Sequence, residues 1–177
     1  LWSKVTYEND SPTEEFEVSS SEGISITAGD YWWPTYRVGI DTSSKRLVEF
    51  EFSHSFGGYY DGDRNSWQTE IAVRPSKYFS VRADYELESI SLPQGNFKER
   101  LASIRTRVSL SPQLNWSNLL QYYSDGDQVG FQSRIHWEYE PGSNMYLVLN
   151  QGIDRNDGRL RWTESDLTFK IGLSLRF

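Results

Sequence analysis

Apolar and polar residues alternate with a period of two in one segment after another of this chain, and the wider spacing of amphipathic helices is nearly missing. Successive side chains of a strand point to opposite faces, so this pattern predicts an all-β fold. Phe79, Val81, Ala83, Tyr85 and Leu87 alternate with Ser80, Arg82, Asp84, Glu86 and Glu88. Ala102, Ile104, Thr106, Val108 and Leu110 oppose Ser103, Arg105, Arg107 and Ser109, and Val129, Phe131, Ile135, Trp137 and Tyr139 oppose Gln132, Arg134, His136, Glu138 and Glu140. Trp32, Tyr36, Val38 and Ile40, then Val48, Phe50 and Phe52, then Trp67, Ile71 and Val73 give three more apolar faces. With segments near 2–8, 114–123, 144–153 and 167–177 the count is about ten strands. An even number of antiparallel strands suits an up-and-down β-barrel over the single domain 1–177.

The connections fall into two alternating kinds. Arg74-Pro75-Ser76-Lys77, Ser111-Pro112-Gln113 and Glu140-Pro141-Gly142-Ser143 are short, whereas those between them are longer and rich in Asp, Gly and Asn. Alternation alone does not say which face meets water. In a soluble barrel the apolar face is the core; in a membrane barrel it meets lipid. Three features favour lipid. The apolar faces carry no charge, the opposite faces are dense in it, and the large aromatics gather at two heights, as interfacial girdles do. Trp32, Trp67, Tyr85 and Tyr122 would form one girdle, and Tyr78, Phe79, Trp116, Trp137, Tyr139 and Phe177 the other. The expected fold is therefore a transmembrane antiparallel barrel in contact with outer-membrane lipid and lipopolysaccharide. The longest apolar run, Met145 to Leu149, is far short of the roughly 20 residues of a spanning helix. A net charge of -7 argues against nucleic acid as a partner, and the absence of Cys removes disulfides and thiolate sites.

The last strand alternates without a break: Leu167, Phe169, Ile171, Leu173, Leu175 and Phe177 against Thr168, Lys170, Gly172, Ser174 and Arg176. Lys170, Gly172, Leu175 and Phe177 resemble the C-terminal signal, polar-x-Gly-x-x-hydrophobic-x-aromatic, that the barrel-assembly machinery of Gram-negative bacteria reads. That resemblance implies a periplasmic C-terminus. The Pro turns and the N-terminus would then also be periplasmic and the acidic loops external. A longer series, ITAGDYWWPTYRVGIDTSSKR, GGYYDGD, VRPS, LPQGNF, LLQYYSDGD and RIHWEYEPGSNMYLVLNQG in that order, resembles the C-terminal barrel region of large, uncharacterised outer-membrane proteins with a carbohydrate-binding-like N-terminal domain. This resemblance implies that the chain is a barrel without a known activity, and that it could be the C-terminal part of a larger protein.

The residues themselves offer little chemistry. The inward charges Arg82, Asp84, Glu86, Arg105, Arg107, Arg134 and Glu138 are expected to fill the lumen as an ion-pair ladder, with Asp84 and Glu86 opposite Arg107 and Arg105. Asp61, Asp63 and Asn65 have part of a calcium-loop spacing, half repeated by Asp125 and Asp127, but Asp-Gly is also common turn chemistry, so no metal or cofactor is expected. A hydrolase needs a base beside a nucleophile, and His54 and His136 fall on opposite faces, so no catalytic residue is assigned. The expected role is a membrane anchor or interaction scaffold. Loops 9–30, 57–65 and 90–98 would meet a protein or surface glycan, with Tyr59, Tyr60 and Phe97 as rings that could stack on sugar, although turn packing explains them equally well. A narrow channel, or one section of a larger transport barrel, is the alternative, and an outer-membrane hydrolase the third.

Overall fold

A computed structural model describes residues 1–156 and 159–174. Ten antiparallel strands form one sheet: β1 (Trp2–Asp10), β4 (Tyr31–Asp41), β5 (Val48–Tyr59), β6 (Gly62–Ser76), β7 (Phe79–Leu92), β8 (Gly95–Ser109), β9 (Leu114–Tyr123), β10 (Gln128–Glu140), β11 (Ser143–Asn156) and β12 (Arg159–Gly172). Each pairs with its neighbour in that order, as an up-and-down meander does. Two short strands, β2 (Phe16–Ser19) and β3 (Ile24–Ile26), make a separate hairpin between β1 and β4. The all-β antiparallel expectation holds, and the ten strands of the sheet match the number read from alternation. Among the described residues no ladder joins β1 to β12, so the sheet has two edges rather than the closed circuit of a barrel.

Burial divides the sheet's faces in an unusual sense. The apolar series is the exposed one: Trp67 is 42% accessible, Ile104 47%, Trp137 46% and Phe169 59%. On the opposite face small polar side chains are shielded, with Ser53 at 2% and Ser66 at 4%. The recesses of the sheet are lined by that polar face, which is its inner wall. The apolar face is also bounded in height. Along β7 it runs from Phe79 to Leu87, about 27 Å at ~3.4 Å per residue. The band ends on Trp67 and Leu87: their neighbour on β8 is already Arg100, and the outer positions beyond are Asp63, Asn65, Ser89, Ser91, Asn96 and Lys98.

Two loops expected to be long and exposed are instead continuations of strands. The ladder β5–β6 runs up to Tyr59↔Gly62 and β7–β8 up to Leu92↔Gly95, leaving only Tyr60-Asp61 and Pro93-Gln94 as turns. Of the three loops expected to be exposed, only 11–30 is long, and it folds inward. Ile24 and Ile26 of the β2–β3 hairpin pack on the inner-face residues Ile90, Leu92 and Phe97, forming the hydrophobic core cluster; Ile26 is wholly buried. The hairpin thus caps one end of the inner wall. Its approach is close: at Gly95, whose φ is +159°, a Cβ would lie 2.9 Å from Ile24 Cδ1. At Gly57, with φ +146°, a Cβ would run into the Pro34 carbonyl, so glycine lets β5 bend against β4 where the β4–β5 ladder ends. Pro34, the next residue, has no N–H to extend that ladder.

Because the cap is held by apolar packing that the rest of the inner wall lacks, it should loosen separately from the sheet. Ile26→Ala is expected to cost about 2–5 kcal/mol at this cluster. Amide hydrogen exchange would accelerate in 16–26 and 90–97 while β9 to β11 keep their protection; equal acceleration everywhere would show that the cap holds the sheet together.

Candidate functional site: the inner wall and its cap

Register decides which charges meet on the inner wall, and it differs from the expected one. The tight Pro93-Gln94 turn sets Asp84 opposite Ser103, Glu86 opposite Leu101, Arg82 opposite Arg105 and Ser80 opposite Arg107. The two acids therefore do not face Arg107 and Arg105; every partner is displaced by four residues. Ser103 Oγ donates to Asp84 at 2.9 Å, and Gln68 Nε2 and Ser66 Oγ donate to Glu86 at 2.6 and 3.1 Å. Arg82 reaches instead across β6 to Glu70 at 2.7 Å, and Arg74 to Glu49 at 2.7 Å. These are the two ion pairs among the described residues; Arg82 is a member of the expected ladder, but neither pair joins two of its members. Arg134 lies over the Tyr146 ring at 4.9 Å, and Glu138 accepts from the Gly142 N–H at 2.9 Å, closing a turn.

The charges are sorted into rows. Glu51, Glu70 and Asp84 are cross-strand neighbours on β5, β6 and β7. One step towards the short turns the row reads Glu49, Ala72, Arg82 and Arg105. Nearer the cap, Lys4 stands opposite Arg37, whose guanidinium donates to Gln68. Sequence reading found these residues but not the rows, because rows depend on how far each strand slides past the next.

At the capped end, aromatic side chains pack on one another. Tyr60 contacts Tyr31 at 5.0 Å, Trp33 at 4.9 Å and Tyr59 at 4.9 Å between ring centroids, and its hydroxyl donates to Asp10 at 2.6 Å. Burial, together with the Asp10 carboxylate, pushes that hydroxyl above its ordinary range. Tyr59 and Tyr60 pack against the core cluster and Phe97 belongs to it at 6% accessible, so these three rings hold the cap rather than stand free for sugar. The hairpin tip crosses to the β9–β10 turn, where Ser20 Oγ and the Ser21 N–H donate to Asp125 at 2.8 and 3.0 Å.

The remaining candidates sit apart. Asp61 accepts from Gln94 Nε2 at 3.1 Å and Asp127 from the Tyr122 hydroxyl at 3.0 Å, so both serve turns. His54 stacks on Trp67 on the outer face, 3.7 Å between centroids, whereas His136 lies on the inner face of β10, 2.7 Å from Asn144 Oδ1. Lys170 and Gly172 lie on β12 opposite Tyr146 and Asn144; Leu175 and Phe177 lie outside the described residues.

Comparison with protein-family models, with curated proteins and with solved structures finds no match. The physical features of the fold therefore carry the functional reading.

Burial works against the Asp125 carboxylate, but the donors of Ser20 and Ser21 outweigh it and hold its pKa below the ordinary 3.8. A depressed folded pKa contributes stability that is whole above the ordinary value and fades as pH falls through the lower folded one. Exchange protection of the Ser21 N–H should thus stay constant from neutrality down to pH 3.8 and disappear only in stronger acid. Asp125→Asn should weaken that protection at neutral pH.

Proposed function

We propose that the chain is a β-barrel of the bacterial outer membrane, with its apolar band in lipid, and that it serves as a membrane anchor or interaction scaffold with one mouth covered by the β2–β3 hairpin. The observation that carries this reading is the exposed, uncharged apolar band, bounded on β6 to β8 by polar positions, over a sheet whose inner wall is polar. A sheet in water would leave these aromatics and aliphatics hydrated at high cost. Lipid on the outside and polar groups within is the arrangement of a membrane barrel, and a band near 25 Å is the height such barrels present. The terminal motif including Lys170 and Gly172, and the ordered segments resembling the barrel region of larger outer-membrane proteins, support the same location. Both termini and the short Pro turns are periplasmic in this reading. The partners are outer-membrane lipid, lipopolysaccharide and the assembly machinery, and a protein or glycan would be met at the capped end.

The edges of β1 and β12, unpaired among the described residues, favour a second reading: one section of a larger transport barrel, or a narrow channel, completed by further strands. In the first reading β1 and β12 pair with each other. The cap and the side-chain hydrogen bonds of the inner wall, rather than a ladder of ion pairs, restrict the lumen.

Ile104→Arg, on the outer face of β8, should lower the stability of the chain folded into lipid vesicles by about 2–4 kcal/mol. Gln121→Arg, on the inner face of β9, should change it by less than about 1 kcal/mol. Equal effects of the two would remove the membrane reading. Refolded in detergent, the chain should migrate faster unboiled than boiled; identical migration would favour a barrel that needs additional strands.

A further inference from the structure

Four arginines converge on one recess of the inner wall, and among the described residues only two of them have an acidic partner. Arg74, Arg82, Arg105 and Arg107, with Ala72 and Ser80, line a volume of about 340 Å³ at the end away from the cap. Glu49 meets Arg74 and Glu70 meets Arg82. Arg105 and Arg107 have no hydrogen-bond or ion-pair partner among the described residues. The register sharpens this imbalance, because Arg82 and Arg105 are directly opposite on adjacent strands, where like charges repel.

The positive charge is local, since the whole chain carries -7. A concave wall backed by low-dielectric material concentrates such a field. Guanidinium groups present parallel N–H donors that match the oxygens of a phosphate or carboxylate, and they stay charged at any physiological pH. Ser80, opposite Arg107, adds a hydroxyl. The acidic row of Glu51, Glu70 and Asp84 one step nearer the cap bounds the recess and confines an anion to the arginine end.

We propose that this recess binds a small soluble oxyanion, a phosphate or phosphomonoester, held by the guanidinium forks of Arg105 and Arg107 with the charge of Arg82 beside them. A lipid headgroup offers the same phosphate chemistry, but the recess opens on the face opposite the apolar band. The inference rests on the membrane reading for the low-dielectric backing of the wall; equal effects of Ile104→Arg and Gln121→Arg would remove that reading, whereas the phosphate titration tests the recess itself.

The test is a titration of the full chain in detergent micelles with inorganic phosphate, followed through the NMR signals of the arginine Nε–H groups. Saturable shifts confined to Arg82, Arg105 and Arg107 are expected. Arg105→Gln with Arg107→Gln should weaken binding by about tenfold or more, and the paired Lys variants, which keep charge but lose the fork, should fall between. Arg134→Gln on β10 should leave affinity unchanged. Linear shifts without saturation in the unaltered protein, or an undiminished affinity in the double Gln variant, would overturn the proposal, and the first of these needs no variant to fold. Micelles doped with phosphatidic acid should leave the signals in place; movement on doping would assign the recess to a lipid headgroup and overturn the soluble-ligand reading.

Discussion

The antiparallel ladder between neighbouring strands is the constraint from which the other features of this molecule follow. Backbone hydrogen bonding fixes each strand against the next, and the two-residue pleat then sends every second side chain to the same face. One slip by a single residue would exchange a row such as Ile71 and Ala83 for Glu70 and Asp84. The apolar outer band and the charged inner wall therefore persist together across the ten strands or not at all. Hydrophobic burial, the usual organiser of a domain, acts here mainly at the cap, where Ile24, Ile26, Ile90, Leu92 and Phe97 meet.

The cap changes how the inner wall is to be understood. It begins between β1 and β4, covers inner residues of β7 and β8, and ends on Asp125 beyond β9. The segment thus covers one end of the wall and ties β7 and β8 to the turn after β9. The opposite end carries the unpaired arginines. The wall is thus polarised along the strands, apolar and aromatic under the cap, acidic in the middle and basic towards the short turns. Under the membrane reading, that polarity would run from the external face to the periplasm.

Legibility from sequence followed the range of the interaction involved. Alternation is local, so the faces of residues 79–88 of β7, 102–109 of β8 and 129–140 of β10 could be read from their neighbours in the chain. Turn lengths were read less well: Asp, Gly and Asn near positions 61 and 95 suggested open loops, but the strands run on until two residues remain, because backbone pairing can continue with polar side chains outside the apolar band. The ion-pair ladder was misread for the same reason. Its members do lie on the inner face, yet partners depend on where the hairpin closes, and a tighter turn moved Asp84 from Arg107 to Ser103. For Tyr59, Tyr60 and Phe97 the sequence left sugar stacking and turn packing equally open, since nothing nearby in the chain shows that Ile24 and Ile26 come to rest beside them.

The sequence by itself determined that this chain is built of antiparallel strands with one apolar and one charged face, because a period of two is a property of adjacent residues. Alternation alone does not choose which face is the outside, since a soluble barrel and a membrane barrel share it; the uncharged apolar faces and the two bands of aromatics were what favoured lipid. Only the tertiary structure decided that the polar side chains line the recesses while Trp67, Ile104 and Trp137 stand exposed. It also decided the rows of charge, the inward course of the β2–β3 hairpin and the gathering of four arginines. Each of these depends on strand register or curvature, and both are set by contacts between residues far apart in the chain.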